Sequence, residues 1–342
     1  MVRAIPGVSD VLVVLTAEKR GGRASSPPGV VAPAGGPPVR PAPTPPPVGG
    51  PGHTHPRPGA RPAPRPAPGG PARAGVPGID AIIAVASGKG GVGKSTTAVN
   101  LALGLLANGL RVGLLDADIY GPSVPRLLGI RGRPQAVGRT LSPMEGYGLK
   151  VMSMGFLVEE DTPMIWRGPM VISALTQMLR EVAWGDLDVL VVDMPPGTGD
   201  AQLTMAQQVP LAGAVIVSTP QDLALIDARK GLAMFQKVDV PVLGIVENMS
   251  YFLCPHCGGR TDLFGHGGAH HEAERLGVPF LGEVPLHLAI RESSDAGRPV
   301  VATAPAGEHA AIYRAIADRV WQGVLREREA GGRPPPRIVI EE

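Results

Sequence analysis

Residues 87–97 read Ser-Gly-Lys-Gly-Gly-Val-Gly-Lys-Ser-Thr-Thr, and the rest of the chain is best interpreted outward from this stretch. An apolar run at 82–86, typical of a buried strand, precedes it, and residues 98–103 follow with a helical pattern. In this strand–loop–helix context, residues 88–95 match the phosphate-binding motif G-x-x-x-x-G-K-[ST]. The flanking elements disfavour the alternative, an ordinary glycine-rich turn between a strand and a helix.

The composition of this loop fits nucleotide binding. Glycines allow backbone N–H groups to approach phosphate oxygens, and the N-terminus of the following helix adds positive potential. The lysine is expected to reach the β- and γ-phosphates, and the serine hydroxyl to ligate Mg²⁺. The sequence therefore predicts a nucleoside triphosphate site, whose loop residues are Gly88, Gly90, Gly91, Val92, Gly93, Lys94, Ser95 (the Mg²⁺ ligand) and Thr96.

A second lysine, Lys89, follows the first glycine of the motif, although the motif does not require it. This feature makes the chain similar to the deviant phosphate-loop ATPases of the MinD and ParA class. The resemblance implies that Lys89 reaches across a dimer interface to the partner's nucleotide. The alternative is an ordinary solvated lysine in a loop.

Length, charge and cysteine content narrow the classes of protein to consider. The 342 residues carry a net charge of +2, but residues 21–78 contain six arginines and no Asp, Glu or Lys, so the remainder carries a formal −4. A mildly acidic folded part gives no support for nucleic-acid binding. No stretch approaches the ~18 apolar residues of a membrane span, and no export signal begins the chain. These features, together with a content of only two cysteines, indicate a cytoplasmic protein whose thiols stay reduced.

The composition also divides the chain into four segments. Residues 1–20 contain one apolar strand, 10–16, and a single strand cannot bury its faces alone. We interpret it as the remnant of an N-terminal domain, with docking on the main body as the alternative. Residues 21–78 hold 19 of the 39 prolines and are rich in Gly and Ala, so we expect a disordered linker. Residues 79–330 are expected to form the folded ATPase domain, and 331–342 a tail.

From residue 79 onward, apolar strands alternate with helical patterns, which is typical of a parallel sheet covered by helices on both faces. Strands are predicted at 80–86, 111–116, 148–154, 187–193, 213–219, 241–247 and 279–284. Helices are predicted at 94–108, 170–183, 200–208, 221–237, 268–276 and 308–329. The predicted fold is therefore α/β, with a mostly parallel, doubly wound sheet of the P-loop NTPase type.

Polar residues follow several predicted strands, at the edge of the sheet where parallel α/β proteins bind their ligands. The MinD/ParA resemblance implies that Asp118 positions the attacking water and that Asp116 lies near Mg²⁺. Asp193 ends another buried strand and is the expected aspartate on the Mg²⁺ side, acting through a bound water. Gly197, in the next turn, is free to approach a γ-phosphate. In the same class Asn248 hydrogen-bonds adenine, which favours ATP over GTP.

Both cysteines lie in the stretch Cys254-Pro255-His256-Cys257-Gly258-Gly259. A thioredoxin-like redox pair is disfavoured, because the glycines that follow do not begin a helix. Two other interpretations stay open. A zinc site of the Cys₂His₂ type would take its remaining ligands from His266, His270 or His271. Alternatively, a second copy of the chain supplies two more thiolates across a two-fold axis.

Five long motifs resemble, in chain order, those of the Mrp/ApbC family of iron–sulfur cluster carrier ATPases, over about residues 79–320. They are GKGGVGKST at 88–96, DADIYGPS at 116–123, WRGPM at 166–170, DMPPGTGD at 193–200 and ENMSYFLCPHCG at 247–258. The resemblance implies ATP, Mg²⁺ and a [4Fe–4S] cluster as cofactors. It further implies a homodimer that holds the cluster between the Cys254 and Cys257 pairs of two copies and couples slow ATP hydrolysis to its transfer.

The same resemblance implies apo iron–sulfur proteins as recipients, cluster donor proteins as partners, and neither nucleic acid nor membrane as a ligand. Bacterial members often carry a small N-terminal iron–sulfur assembly domain, and residues 5–16 resemble only its last helix end and strand. Two alternatives stay open. A partitioning or positioning ATPase of the ParA/MinD kind would need a basic surface or a basic amphipathic C-terminal helix. A zinc-stabilised interaction protein would leave Asp118 and the phosphate loop without a purpose.

Overall fold

The computed structural model describes residues 75–158 and 168–331 of the chain. Several sequence-based predictions lie outside this part: the strand at 10–16, the linker as far as residue 74, and the tail from residue 332 onward. The Trp166-Arg167 portion of the WRGPM motif also lies outside the described residues.

The described part of the chain contains strands and helices in alternation, numbered here in chain order. The strands are β1 Ile79–Ala86, β2 Val112–Asp116, β3 Ala136–Val137, β4 Thr140–Leu141, β5 Met144–Gly146, β6 Leu149–Ser153, β7 Leu187–Asp193, β8 Gly213–Ser218, β9 Val242–Leu253, β10 Arg260–Thr261 and β11 Phe280–Leu286. The helices are α1 Lys94–Ala107, α2 Val124–Leu128, α3 Gly168–Arg180, α4 Asp200–Gln208, α5 Asp222–Lys237, α6 Gly268–Leu276, α7 Leu288–Asp295, α8 Val300–Thr303 and α9 Glu308–Glu329.

One large sheet organises this body, with strand order β10-β9-β8-β1-β7-β2-β6-β5 and with β11 also paired to β9. The central pairs are parallel, whereas β5 and β10 run antiparallel to their neighbours. In the register of these strands, Asp193 pairs with Val85 on one side and with Asp116 on the other. The carboxyl ends of β1, β2 and β7 therefore lie level with each other, which brings their polar terminal residues into one crevice.

Two apolar cores form, one on each face of the sheet, because the central strands are apolar at successive positions. In β1, Ile82 and Ala84 face the core under α3, α4, α5 and α6. Ile83 and Val85 face the opposite core under α1, α2, α7, α8 and α9. Strands buried on both faces are the mark of a parallel sheet with helices on both sides. The predicted doubly wound, mostly parallel α/β fold is confirmed.

The ordered body begins before the predicted boundary at residue 79. Val76 is buried, and the carbonyl of Gly78 accepts a hydrogen bond of 2.7 Å from the N–H of Leu187. Residues 76–78 thus extend the edge of the domain and do not belong to the linker predicted to reach residue 78.

Two other predicted boundaries shift because of tertiary pairing. Helix α3 ends at Arg180, not at residue 183, since the following backbone pairs with Leu141, which donates to the carbonyl of Glu181 and accepts from the N–H of Ala183. Strand β9 continues to Leu253, where a prediction from apolar residues alone ended it at 247. Its second half is held by pairing with β11 as far as Phe252 and with β10 at Phe252 and Leu253.

Helix α9 buries one face against the sheet and α1, through residues that include Tyr313, Ile316 and Val320. Its other face is polar, as a surface helix requires. Among the helices of the described ranges, none is both long enough and apolar enough to cross a bilayer.

Candidate nucleotide site and cysteine loop

The predicted phosphate loop joins β1 to α1 at the carboxyl edge of the sheet. Two of its glycines are fixed by close packing. A Cβ on Gly88 would lie 2.2 Å from backbone atoms of Asp227, and a Cβ on Gly93 would lie 2.1 Å from Asn248 Nδ2. Gly93 also has a φ of +80°, a left-handed conformation, immediately before α1 begins. Larger residues at these two positions would displace the loop.

The remaining residues of the loop combine an accessible backbone with a buried anchor. A Cβ on Gly90 or Gly91 would meet no other atom within 4 Å, so the backbone there is open to a ligand. Val92 is buried and ties the loop to the core beneath it. Ser95 and Thr96 are half-buried in the first turn of α1. This arrangement presents backbone N–H groups at a helix N-terminus, which is a ready site for phosphate.

Lys94 forms a buried ion pair with Asp193 at the end of β7. The Nζ–Oδ1 distance is 2.6 Å, and the two side chains are 6% and 0% exposed. Lys94 Nζ also donates to Ser95 Oγ at 3.1 Å. The lysine and the serine of the loop are therefore already joined to the aspartate predicted for the Mg²⁺ side.

Asp116 is fully buried beside Asp193 and held by three hydrogen bonds. Its Oδ2 accepts from Ser153 Oγ at 2.9 Å and from the N–H of Val124 at 3.1 Å, and its Oδ1 accepts from the N–H of Asp118 at 3.2 Å. Burial, followed by the charge of Asp193, raises the pKa of Asp116 to about 7, against the opposing effect of these hydrogen bonds. The carboxyl is thus poised between its neutral and ionised forms near neutral pH.

Asp118 lies nearer the surface of the same crevice. Its Oδ1 accepts from the N–H of Gly121 at 3.3 Å. Burial raises the pKa of Asp118, and the nearby ammonium of Lys94 opposes this rise. The structure therefore gathers Lys94, Asp116, Asp118 and Asp193 around one crevice, as their predicted roles require.

Asp193 offers the clearest sign of an interaction still to be made. Its Oδ1 takes the lysine, but its Oδ2 is buried and has no hydrogen-bond partner in the described part of the chain. A buried carboxylate oxygen without a partner is costly unless water or an ion completes it. The Mg²⁺ that accompanies nucleotides fits these donors. Ser95 Oγ would bind it directly and Asp193 through a water molecule, and the ion would supply electrostatic stabilisation of phosphate charge.

Three further predicted residues lie around the loop. The N–H of Gly197 donates to the carbonyl of Ser87 at 2.9 Å, and its φ of +102° suits glycine. Asn248 is buried and donates from Nδ2 to the carbonyl of Val92 at 2.8 Å, so it braces the loop from below. Lys89 is half-buried on the loop. The contacts predicted for them with γ-phosphate, adenine and a partner's nucleotide stay predictions.

The two cysteines lie in the turn of the β9–β10 hairpin. The turn is closed by hydrogen bonds from Cys254 N–H to the carbonyl of Gly259 at 2.9 Å and from Gly258 N–H to the carbonyl of Cys254 at 2.8 Å. Cys254 is half-buried and Cys257 is exposed. The backbone N–H of His256, then that of Cys257, lowers the pKa of the Cys254 thiol. A thiolate, the form that binds metals, is thereby favoured at Cys254.

The histidines considered for a zinc site make other contacts. His266 Nδ1 lies 2.9 Å from Arg260 Nη2, and the ring of His270 packs edge-on against Phe280 with 4.8 Å between centroids. Across the ranges that the structure covers, no group of three or more His, Cys, Asp or Glu residues could hold a metal ion. The Cys₂His₂ arrangement within one chain is therefore not formed.

Residues 78–321 match the family model described as ParA: NUBPL iron-transfer P-loop NTPase. The chain belongs to this family. The match covers both the nucleotide crevice and the cysteine hairpin, so one family description accounts for both features. The resemblance inferred from the five sequence motifs is thereby confirmed.

Relatives within this iron-transfer NTPase family share more than half of their aligned residues with the chain. The chain is 54% identical over 270 residues to the iron-sulfur cluster transfer protein NUBPL of Dictyostelium discoideum, covering 78% of this chain and 84% of the relative. It is 57% identical over 256 residues to the iron-sulfur cluster carrier protein of Escherichia coli K12, covering 73% of this chain and 69% of the relative.

Solved structures agree with this assignment. The nucleotide-binding protein of Archaeoglobus fulgidus in complex with ADP is 44% identical, with a TM-score of 0.58, and the match covers 64% of this chain and 87% of that one. The cell division ATPase MinD of Pyrococcus furiosus superposes with a TM-score of 0.54 at 21% identity, covering 71% and 99% of the two chains. At that identity the second match shows a shared fold alone.

Two members of the site were not found from the sequence. Ser153 holds Asp116 from the end of β6, and Glu247, fully buried at the end of the apolar part of β9, accepts from Ser250 Oγ and from the N–H of Ala269. Both are polar residues at the carboxyl end of a buried strand. The position of a polar residue at the end of an apolar run, which marks Asp116 and Asp193 in the sequence, marks these two residues as well.

Binding of Mg²⁺ with ADP should release protons near neutral pH. Because the pKa of Asp116 is about 7 in this structure, about half of these carboxyls are protonated at pH 7. A divalent cation nearby favours the ionised form and lowers this pKa. We expect release of about half a proton per nucleotide at pH 7, more at about pH 6 and almost none at about pH 8.5.

Calorimetric titrations in buffers of different ionisation enthalpy would measure this proton release. The variant Asp116→Asn should lose it, whereas Asp186→Asn, on an exposed carboxylate at the opposite edge of the sheet, should keep it. Equal proton release by wild type and Asp116→Asn would contradict the assignment to Asp116.

Proposed function

We propose that this protein binds and hydrolyses ATP and carries a [4Fe–4S] cluster, which two copies hold between their Cys254–Cys257 loops and deliver to apo-proteins. The observation that carries the proposal is the cysteine hairpin itself. It offers two thiols on an open turn and lacks a third ligand within the described part of its own chain. A [4Fe–4S] cluster takes four cysteine ligands, which two such hairpins supply together.

The nucleotide half of the proposal is supported by the crevice. Backbone N–H groups of the loop would bind phosphate, and Lys94 would turn from Asp193 towards the β- and γ-phosphates. Asp118 would orient the attacking water, and its raised pKa suits it to accept a hydrogen bond or a proton from that water. The related Archaeoglobus protein was solved with ADP, which supports an adenine nucleotide as the ligand of this crevice.

The cluster half is supported by the relatives and by symmetry. Relatives more than half identical to this chain are named iron-sulfur cluster transfer or carrier proteins. A two-fold contact pairs the same surface on both copies, so each exposed Cys254–Cys257 turn would meet its equivalent. Lys89 would then approach the partner's nucleotide across the same interface. In this proposal the cluster is cargo, received from a donor protein and passed to a recipient.

Metal analysis of anaerobically prepared, reconstituted protein tests the cluster directly. We expect about two irons and two sulfides per chain, that is about four of each per dimer, together with a dimer in sedimentation. Incubation with an apo-protein that needs a [4Fe–4S] cluster should move the cluster to it. One zinc per chain in a monomer, with no iron retained, would overturn the proposal.

Replacing Asp118 by asparagine should separate binding from hydrolysis. The amide keeps the size of the side chain but cannot accept a proton, so we expect turnover to fall by about 10²- to 10⁴-fold. Affinity for Mg·ADP should change little, because Lys94, Ser95 and the loop backbone are unaltered. Steady-state ATPase assays with binding titrations would measure both effects, with Asp186→Asn as the matched surface control. Wild-type turnover in Asp118→Asn would remove Asp118 from the mechanism.

A further inference from the structure

Strand β9 reaches both functional regions of the molecule. At Asn248 its side chain holds the phosphate loop, by the 2.8 Å hydrogen bond to the carbonyl of Val92. The same strand runs on to Leu253 and delivers Cys254 into the hairpin turn. Asn248 and Cys254 are six residue steps apart along the chain, about 20 Å when extended.

The strand is irregular between these two points. Asn248 pairs with Val284 of β11, and Phe252 pairs with Leu286, so four steps along β9 match two steps along β11. Met249, inside this irregularity, has a φ of +54°, a left-handed conformation uncommon for a side chain of its kind. Bulges and strained residues of this type cluster beside functional sites, where they absorb a local change in the backbone.

The irregular part of β9, residues 248–252, forms a bulge that is held by hydrogen bonds and packs against the phosphate loop. Glu247 is fully buried and accepts from Ser250 Oγ at 2.6 Å, within the bulge, and from the N–H of Ala269 at 2.6 Å, at the start of α6. The Met249 methyl lies 3.8 Å from the position of a Cβ on Gly93. The bulge is therefore packed directly against the last glycine of the loop, whereas the hairpin beyond it is exposed from Pro255 onward.

We propose that the Asn248–Met249 segment is the connection through which nucleotide bound at the phosphate loop controls the reactivity of the Cys254 and Cys257 thiols. Nucleotide restrains the loop, since a ligand that binds one conformation stabilises it. Asn248 and Met249 contact that loop, so a ligand that restrains the loop also restrains these two residues. Because β9 continues from them to Leu253, the restraint reaches the hairpin turn. The inference rests on the nucleotide site of the proposed function, but it concerns the free thiols and does not require a bound cluster.

The rate of thiol alkylation tests the connection in the full-length, reduced, metal-free protein. Iodoacetamide modification of Cys254 and Cys257 would be followed by mass spectrometry with and without saturating Mg·ADP. We expect Mg·ADP to slow modification of wild type by at least about fivefold, the lower end of ordinary coupling between sites. Asn248→Ala and Met249→Gly should each lose most of this response at nucleotide concentrations that saturate the variant.

Matched controls separate the connection from general loosening of the chain. Asp239→Gly makes the same backbone change at another left-handed residue, with a φ of +55°, in the turn before β9, and should keep the full response. Asn108→Ala removes a comparable amide, whose Nδ2 donates to the carbonyl of Arg314 on the surface, and should also keep it. If Asn248→Ala no longer binds nucleotide, the response of Met249→Gly decides the matter.

An unchanged alkylation rate in wild type whose bound ADP is measured independently would overturn the inference, as would a full response in Met249→Gly. Iron analysis of the same preparations keeps the two proposals apart. Protein that takes up no cluster but protects its thiols with ADP would retain the connection and lose the carrier function. Protein that takes up the cluster without thiol protection would retain the carrier function and lose the connection.

Discussion

Lys94→Met should lower the affinity for Mg·ATP by at least about 100-fold, because it removes two charge-assisted contacts to phosphate worth about 1.4 kcal/mol each or more. Methionine keeps the length of the side chain and leaves the rest of the loop unchanged. Titration with a fluorescent ATP analogue would measure the loss. Lys230→Met, which removes an exposed ion pair with Asp227 on α5, is the matched control and should bind as wild type does.

The same variant should also be less stable, because Lys94 is the ion-pair partner of the buried Asp193. Removing one member of a buried pair costs about 3–5 kcal/mol when the other stays charged. An unpaired buried carboxyl has a raised pKa in the folded protein. At low pH Asp193 is therefore protonated and the variant keeps its stability, and this stability is lost as the pH rises through the raised pKa. The deficit in the free energy of unfolding should therefore be greater at about pH 8 than at about pH 6.

The double variant Lys94→Met/Asp193→Asn separates the two effects. Removing both charges should restore most of the stability, since no buried charge is left unpaired, but it should not restore nucleotide affinity. Urea unfolding at both pH values would measure the first result and ligand titration the second. Affinity of Lys94→Met within a few-fold of wild type would mean that Lys94 serves only as the partner of Asp193.

Replacing Cys254 or Cys257 by alanine should lower the iron content of reconstituted protein by at least about tenfold, because each dimer then offers two thiolates in place of four. Loss of the cluster should also weaken the dimer, since a ligand held by two chains stabilises their assembly. Fold stability should change by less than about 0.5 kcal/mol, because the hairpin turn is at the surface. Affinity for Mg·ADP in the absence of cluster should remain, since the phosphate loop keeps all its contacts.

Two histidine variants serve as controls for the cysteine experiment. His256→Ala changes one of the two residues between the cysteines, and His266→Ala changes a residue that contacts Arg260. Both should keep the full iron content if cysteine is the only ligand type. A cluster that survives replacement of both cysteines, or metal that is lost on replacing His266 alone, would contradict the shared four-cysteine site.

Much of the architecture follows from local sequence. The strands that end in Asp116 and Asp193 are apolar on both faces, so their direction and the position of these acids at the ligand edge could be predicted. What escaped prediction depends on contacts between distant segments. Residues 248–253 of β9 interrupt its aliphatic run, and they belong to the strand because β11 and β10 pair with them. Short helices such as α2 and α7 contain too few residues to give a period.

The residues of the site also divide into those that local sequence indicates and those that depend on contacts between distant segments. A motif gave Lys94, Ser95 and the loop glycines, because the chemistry of phosphate restricts the residues that can bind it. Asn248 was assigned to adenine from a resemblance, whereas its hydrogen bond to the carbonyl of Val92 depends on how β9 passes beneath the loop. Ser153 and Glu247 likewise hold other groups in place, and only their positions at the ends of apolar runs mark them in the sequence.

From the ion pair between Lys94 and Asp193 we infer that the crevice would accept a nucleotide more readily as its Mg²⁺ complex than in the free form. Before nucleotide binds, the only lysine among the four central groups is committed to a carboxylate, with Asp116 and Asp118 beside it. A bare polyphosphate would therefore meet like charge and no free cation from these four groups. With Mg²⁺ bound to the nucleotide, the carboxylates would face a counter-charge and Lys94 would be able to turn towards the phosphates. Discrimination between free and metal-bound nucleotide would then be an electrostatic property of this crevice, set before any phosphate contact is made.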